Sequence, residues 1–143
     1  MAVEKPRYVL FETDVLIAAI DPDDPHHSEA SDIITTTRNC SLSPYTLVEL
    51  DLLIRSENVR IRNYQSFWRK LWDVIKHYNI TIPAPSPLHH SKAHELRALY
   101  SLTYFDSLHA AAAMVENRTL VSYDERAYSK VEDLEYVHPT RLL

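Results

Sequence analysis

The hydrophobic positions of this 143-residue chain form short continuous runs that alternate with longer segments of helical periodicity. Short apolar runs bounded by turn-forming residues are typical of strands that a parallel sheet buries on both faces. Apolar positions that recur every three to four residues are typical of helices that pack one face on such a sheet. The predicted strands are 8–11, 40–42, 80–82, 119–122 and 136–137.

Helices are predicted between these strands, and several have a recognisable start. Thr13 and Asp14 can cap the first helix. Ser43 followed by Pro44 predicts an N-cap and a first-turn proline for the third helix, which places Glu49 on its second turn. The predicted helices are 13–20, 27–37, 43–54, 63–77, one opened by Ser86 and Pro87, one capped by Thr103 and ended by Asn117, and 125–130.

The alternation of strands and helices predicts an α/β fold, a three-layer α/β/α sandwich with a mostly parallel central sheet. The length is that of one domain and is sufficient to bury a core. Neither a repeat nor a low-complexity linker interrupts the pattern. We therefore expect residues 1–143 to form a single domain.

Four acidic residues that are far apart in the chain lie where an apolar run meets a helix, or on the helix that follows. They are Glu12, Glu49, Asp106 and Asp124. The carboxyl ends of parallel strands form the edge of a sheet where ligand sites collect. Carboxylates gathered there repel one another and raise each other's pKa unless a cation joins them. Such oxygen ligands suit Mg²⁺ or Mn²⁺, so the sequence predicts a divalent-metal site for phosphodiester chemistry.

Each acid also has a plainer interpretation. Asp106 follows Thr103 by three residues, as in a capping box, and Asp124 can cap the short helix after it. Glu49 lies beside an apolar helix face, where a carboxylate is usually exposed at the margin. Glu12 ends a buried strand, where an uncompensated charge is costly. The four together favour the metal site over four separate structural roles.

Composition excludes several classes of protein. The chain has no glycine, which excludes a Walker phosphate loop and a Gly-rich dinucleotide turn. Cys40 is the single cysteine, so no intrachain disulfide can form. Residues 1–6 lack the apolar stretch of a signal peptide, and no apolar run reaches the ~20 residues of a membrane span. We expect a cytoplasmic protein without membrane contact.

The net charge of −5 argues against a protein that coats polyanions without specificity. Basic residues nevertheless crowd one central stretch, where Tyr64 and Trp68 lie among them. This stretch is either a nucleic-acid rim with stacking aromatics or a solvated helix face whose aromatics enter the core. The basic residues are Arg55, Arg60, Arg62, Arg69 and Lys70.

The ordered acidic segments resemble those of PIN-domain nucleases, in particular the small VapC-type toxin ribonucleases of toxin–antitoxin pairs. The resemblance covers essentially the whole chain. It implies a compact α/β/α domain with Mg²⁺- or Mn²⁺-dependent endoribonuclease activity on an RNA substrate. It further implies a homodimer inhibited by a cognate antitoxin protein. The segments that carry the resemblance are 11–17, 26–30, 43–50, 102–112 and 120–124.

The resemblance also assigns roles to individual residues. It makes Glu12, Glu49, Asp106 and Asp124 the direct or water-mediated metal ligands. Three further residues, Thr13, Asp14 and Ser122, are candidates for orienting these ligands or water. Helix capping and turn formation are equally good explanations for those three.

One departure from the family pattern motivates an alternative. Glu12 replaces the usual aspartate and Asp14 the frequent asparagine, and a carboxylate one methylene longer can displace the metal. The alternative is a catalytically weakened PIN-like protein that binds RNA or a protein partner without cleavage. A phosphohydrolase for small phosphate esters is disfavoured, because no lysine stands in a matching motif at a strand end.

Two further expectations concern His109 and the aromatic segment 64–78. His109 lies three residues after Asp106 and can approach the site, but we expect it to pack among the alanines at 110–113. Apolar and aromatic residues in 64–78, including Trp68 and Trp72, exceed what one helix face buries. This excess predicts an interaction surface for a homodimer.

Overall fold

Four parallel strands form the central sheet of the computed structural model, which describes residues 5–143. Their spatial order is β2-β1-β3-β4, and all three neighbouring pairs are parallel. Leu10 at the middle of β1 is level with Ser41 of β2 and Leu120 of β3. The strands are β1 (Val9–Phe11), β2 (Cys40–Leu42), β3 (Thr119–Val121) and β4 (Tyr136–Val137).

Seven α-helices surround the sheet in the described part of the chain, and a short 3₁₀ helix, Pro139–Leu142, ends it. The 3₁₀ helix was not predicted from the sequence. The helices are α1 (Thr13–Ile20), α2 (His27–Thr36), α3 (Thr46–Arg55), α4 (Tyr64–His77), α5 (Pro87–Tyr100), α6 (Tyr104–Val115) and α7 (Glu125–Tyr128).

Two hydrophobic cores lie on opposite faces of the sheet. Val9 and Phe11 of β1 pack with α1 to α4, whereas Leu10 packs with α5, α6 and α7. This division follows from the alternation of side chains along a strand. The predicted three-layer α/β/α arrangement is therefore confirmed, and its sheet is parallel throughout. Cys40 is buried at the start of β2, as expected of a small hydrophobic residue.

The predicted start of α3 is wrong. The helix begins at Thr46, with Tyr45 rather than Ser43 at the N-cap, and Glu49 is therefore in the first turn rather than the second. The Ser43 hydroxyl accepts the backbone N–H of Tyr45 at 3.3 Å and also bonds the ring of His109. Ser43 thus closes a turn before the helix, and its hydroxyl connects that turn to α6.

The predicted strand 80–82 is also wrong. Thr81 makes one isolated parallel bridge to Ser41, and no fifth strand develops in residues 5–143. Pro83 and Pro85 follow directly and have no N–H to donate to a ladder, so the pairing cannot extend. Helices α2 and α7 end slightly earlier than predicted, at Thr36 and Tyr128.

Residues other than glycine occupy every left-handed backbone position of the described chain. Asparagine holds three of these positions, consistent with its tolerance of that conformation. Asn117 follows α6 with a φ of 56°, as predicted for the end of that helix. The six positions are Asn39, Glu57, Asn79, Ser101, Asn117 and Asp133.

None of the helices within residues 5–143 has the length and apolar content needed to cross a membrane. The sequence-based expectation that no signal peptide is present concerns residues 1–6, of which 1–4 lie outside the described part.

Candidate metal centre

The carboxyl edge of the sheet carries a polar residue directly after each of the strands β1, β2 and β3. Glu12 follows β1, Ser43 follows β2 and Ser122 follows β3. Backbone hydrogen bonds continue the parallel pairing to this level, since Glu12 N–H donates to Val121 and Ser43 N–H donates to Phe11, both at 3.0 Å. The sheet therefore fixes where these three side chains begin.

Glu12, Glu49 and His109 form the centre of the site. One ligand atom from each lies within 4.8 Å of the other two. His109 Nε2 is 2.8 Å from Glu49 Oε1 and 3.8 Å from Glu12 Oε1. Glu12 is buried and Glu49 is half-buried. Two carboxylates from distant parts of the chain thus face each other across a buried imidazole.

His109 does not merely pack among alanines, so that expectation is wrong. The ring is completely buried, and its Nδ1 lies 2.6 Å from the Ser43 hydroxyl. Its Nε2 also approaches the Thr13 hydroxyl at 3.2 Å, and Thr13 in turn donates to Thr46. An Nε2–H that donates to Glu49, with Nδ1 accepting from Ser43, satisfies both ring nitrogens. This arrangement holds the Glu49 carboxylate in place.

Ser122 joins a second pair of carboxylates. Its hydroxyl lies 2.7 Å from Glu12 Oε2 and 2.8 Å from Asp14 Oδ2, and it accepts the backbone N–H of Asp124 at 3.0 Å. One hydroxyl proton can serve only one carboxylate at a time. When the Ser122 hydroxyl donates to one carboxylate, its contact with the other carboxyl group is favourable only if that other group is protonated. The serine therefore holds two acids at a spacing that disfavours two full negative charges.

Asp14 has one oxygen that the protein leaves without a partner. Its Oδ2 accepts from Ser122 and from the backbone N–H of Tyr123 at 3.0 Å. Its Oδ1 is buried and has no hydrogen-bond partner among the described residues. Buried polar atoms in native proteins almost always have a partner, so an unpartnered carboxylate oxygen indicates a missing group.

Asp106 and Asp124 lie further from this centre. Asp106 accepts a hydrogen bond from the buried hydroxyl of Tyr128 at 3.3 Å, and its N–H donates to Thr103 at 3.4 Å. The reciprocal half of a capping box, from the Asp106 side chain to the Thr103 N–H, is not formed. Asp124 is exposed and caps α7 by accepting the N–H of Ala127 at 3.1 Å. Helix capping thus fully accounts for the observed position of Asp124 and only partly for that of Asp106.

The pKa shifts follow this geometry. Burial raises the pKa of Glu12 well above its ordinary value, and the charge of Asp14 raises it further. Burial also raises the pKa of Asp14, and burial with the charge of Asp124 raises that of Asp106. Burial alone would raise the pKa of Glu49, but the hydrogen bond and charge of His109 outweigh it and the pKa is lowered. Charge neutralisation is therefore needed chiefly around Glu12 and Asp14.

These features fit a hard divalent cation. Two carboxylates lie within reach of one point, and a third has an unpartnered oxygen. A cation bound there would offset the repulsion that raises the carboxyl pKa values. Glu12 and Glu49 supply the nearest oxygens. Because both nitrogens of His109 already have hydrogen-bond partners, we assign His109 to positioning Glu49 rather than to ligation.

Of the seven site residues named from the sequence, the structure brings five together, and it leaves Asp106 and Asp124 outside the central cluster. The five are Glu12, Glu49, Asp14, Thr13 and Ser122. Sequence reasoning did not anticipate the contacts of Ser43, Thr46 and Tyr128. The position of His109 three residues after Asp106 was the available signal for its role, because residues so spaced share a helix face.

An open, largely apolar cavity of about 460 Å³ adjoins Glu49. Leu52, Leu53 and Phe105 supply its apolar lining, and Arg55 lies at its border. The basic stretch of the sequence thus begins beside the acidic centre.

The aromatic residues in that stretch divide between the core and the surface, and its role as a nucleic-acid rim stays a prediction. Phe67 and Trp68 pack against the core, whereas Tyr64 and Trp72 are more than half exposed.

Comparison with known proteins agrees with this architecture. The sequence profile of the PIN domain matches residues 9–134. A search among curated protein sequences gives no match.

Several solved structures share the fold. A chain of VapBC2 from Rickettsia felis, bound to a DNA fragment from its promoter, superposes with a TM-score of 0.71 at 18% identity, covering 92% of this chain and 98% of that one. A toxin–antitoxin complex from Klebsiella pneumoniae gives 0.68 at 17% identity, covering 92% and 97%. VapBC-1 from nontypeable Haemophilus influenzae gives 0.69 at 15% identity, covering 93% and 98%. With the profile match over residues 9–134, the chain belongs to the PIN domain family.

Proposed function

We propose that this protein is a divalent-metal-dependent endoribonuclease that hydrolyses RNA phosphodiester bonds as the toxin of a toxin–antitoxin pair. The observation that carries the proposal is the buried Glu12–Glu49 pair, with the unpartnered Asp14 oxygen beside it, at the carboxyl edge of a PIN fold. PIN domains are nucleases. An acidic centre of this kind is useful to a nuclease when a cation occupies it.

The residues divide into ligands and supports. Glu12 and Glu49 hold the cation, and Asp14, Asp106 and Asp124 contribute negative charge around it or bind it through water. A bound Mg²⁺ or Mn²⁺ supplies Lewis acidity toward the scissile phosphate and lowers the pKa of an attacking water. His109 fixes the orientation of Glu49, and Ser122 fixes that of Glu12. Tyr128 donates to Asp106 and so limits the directions its carboxylate can adopt.

The direct test is cleavage of labelled RNAs and single-stranded DNA in Mn²⁺, Mg²⁺ or EDTA. We expect cleavage of RNA that EDTA abolishes and that Asp106→Asn lowers strongly. Asp51→Asn is the matched control, because Asp51 is exposed on α3 and makes no side-chain hydrogen bond or ion pair within residues 5–143. Cleavage that persists in EDTA, or that both variants lower equally, would refute the proposal.

The same assay addresses the other functions. RNA that binds but remains intact under every metal condition would favour the catalytically weakened PIN-like protein, whose longer Glu12 side chain motivates it. Turnover of a chromogenic phosphate monoester without cleavage of RNA would favour a phosphohydrolase.

A second prediction concerns His109→Gln. Removing the imidazole leaves Glu49 without its strongest partner, and loss of such a supporting contact costs about 10–100-fold in metal affinity. We expect calorimetry to show Mn²⁺ binding weakened by that factor, with the protein still folded by circular dichroism. His94→Gln, at an exposed position of α5, should bind Mn²⁺ like the parent protein. Unchanged affinity in His109→Gln would exclude the positioning role.

The partners follow from the same proposal. A toxin of this kind requires an antitoxin, and the similar structures from Rickettsia felis, Klebsiella pneumoniae and Haemophilus influenzae support such a partner.

We also propose a homodimer in which the exposed faces of Tyr64 and Trp72 on α4 take part. Light scattering at micromolar concentration should give twice the monomer mass, and a monomeric mass would contradict the dimer.

A further inference from the structure

Three arginines precede the strands β1, β2 and β3 at the edge of the sheet opposite the acidic centre. Arg7 lies two residues before β1, Arg38 two residues before β2 and Arg118 immediately before β3. These strands are neighbours in the order β2-β1-β3, and their first residues are level. The parallel register therefore places three guanidinium-bearing residues along one edge, which we call the arginine edge.

Two adjoining cavities open at the arginine edge. One has a volume of about 580 Å³ and is lined in part by Arg38, Arg118 and Tyr8. The other, of about 320 Å³, is lined in part by Arg7 and Arg38, together with Lys5. Among residues 5–143, no aspartate or glutamate lines either cavity. In a chain with a net charge of −5, these linings are thus locally positive.

The guanidinium groups of Arg7 and Arg118 share one aromatic neighbour, and Arg118 also borders a smaller cavity lined in part by Asp133 and Glu135 without forming an ion pair with either. The Arg7 and Arg118 guanidinium carbons lie 5.5 Å and 5.9 Å from the centre of the Tyr8 ring, within the range of a cation–π contact. The three arginines form no ion pair or side-chain hydrogen bond with the rest of the described chain. The Nε of Arg118 is buried and has no hydrogen-bond partner there.

Helix ends account for part of this arrangement. Arg38 and Arg118 follow the carboxyl ends of α2 and α6, where cations are favoured by the exposed carbonyls. That effect does not explain the buried unpartnered Nε of Arg118, or why Arg7, which follows no helix, lies at the same edge. Planar guanidinium groups that converge without carboxylate partners are typical of phosphate recognition.

We propose that the arginine edge binds the phosphate groups of a nucleotide, either free or within an oligoribonucleotide. This site is separate from the acidic centre and does not depend on metal. Arg38 borders both cavities and therefore contacts the phosphate most directly, while Tyr8 limits the freedom of Arg7 and Arg118. Strands β1, β2 and β3 would then each separate a phosphate-binding end from a metal-binding end.

The test is an NMR titration of backbone amides in EDTA, which prevents metal-dependent cleavage and separates this proposal from the nuclease activity. The probes are adenosine monophosphate and a ten-nucleotide single-stranded RNA. We expect saturable shifts of the amides from Thr36 to Asn39, and an affinity about tenfold lower in Arg38→Gln because a charge-assisted hydrogen bond is lost. Arg7→Gln, also at an exposed position, should weaken binding in the same direction.

Arg126→Gln is the matched control, since Arg126 is exposed on α7, outside the basic stretch of the sequence, and lines neither cavity. It should leave the shifts of residues 36–39 unchanged. Shifts with both probes support a nucleotide site, and shifts with the RNA alone support a site for the oligonucleotide backbone. The proposal is overturned if neither probe shifts these amides, or if Arg38→Gln and Arg7→Gln bind like the parent protein.

Discussion

Replacing Glu12 by glutamine is expected to lower metal-dependent RNA cleavage by more than about 100-fold while making the metal-free protein more stable. Loss of a group that merely supports a metal ligand costs about 10–100-fold, so loss of the ligand itself should cost more. The stability gain follows because Glu12 is buried beside Asp14, and burial with that charge raises its pKa. A neutral amide removes this repulsion and can still bond the Ser122 hydroxyl.

The two effects are measured separately. Cleavage is followed with the labelled RNA in Mn²⁺, and Tm by calorimetry in EDTA at pH 8. We expect Tm to rise by at least about 3 °C, which corresponds to about 1 kcal/mol for a domain of this size. Glu132→Gln, at an exposed position near the end of the chain, should change neither quantity. A variant that cleaves RNA normally, or that is less stable than the parent protein in EDTA, would contradict the metal role of Glu12.

The second large effect is a dependence of stability on pH that becomes weaker when metal is present. Glu12, Asp14 and Asp106 have pKa values raised above 4.5, 3.8 and 3.8 in the folded state. At pH values between the unfolded and the higher folded pKa of each group, the folded protein binds more protons than the unfolded chain. The stability that these three groups contribute is therefore lost as pH rises through that range. Glu49, whose pKa is lowered, contributes stability that is instead lost as pH falls below 4.5.

In EDTA we therefore expect a lower free energy of unfolding at pH 8 than at about pH 5, measured by urea denaturation. At pH 8, Mn²⁺ at 100 times its dissociation constant should add about 2.7 kcal/mol. At pH 5 the gain should be smaller, because protons compete for the same carboxylates. The decrease between pH 5 and pH 8 should be smaller in Glu12→Gln. A parent protein equally stable at both pH values in EDTA, with no response to Mn²⁺, would exclude this electrostatic account.

Much of this architecture was predictable because it depends on local patterns. The apolar runs around Leu10 and Leu120 identify buried strands, and parallel pairing then requires Glu12 and Ser122 to meet at one edge. The fold class and the meeting of Glu12 with Ser122 follow from that requirement. The start of α5 at Ser86 and Pro87 was equally predictable, because the capping chemistry is local.

Other features depend on contacts that no local pattern encodes. Ser43 and Pro44 have the composition of a helix start, but Ser43 bonds His109, a residue 66 positions away, and the helix begins later. The burial of His109 between two glutamates is likewise decided by how α6 packs on the sheet. The partnerless oxygen of Asp14 is visible only when every neighbouring donor has been placed.

The central strands carry opposite charges at their two ends, and this has a consequence for how a polyanion approaches the molecule. Glu12 lies five positions after Arg7 across β1, a distance of about 17 Å along the backbone at 3.3 Å per residue. This exceeds the Debye length of about 8 Å at physiological ionic strength, so the two ends act on an incoming strand almost independently. Without a cation, the acidic end repels a phosphodiester chain and the basic end attracts it. If the proposed function is correct, a cation at the acidic end would remove this repulsion and so change the rate and orientation of encounter, most strongly at low salt.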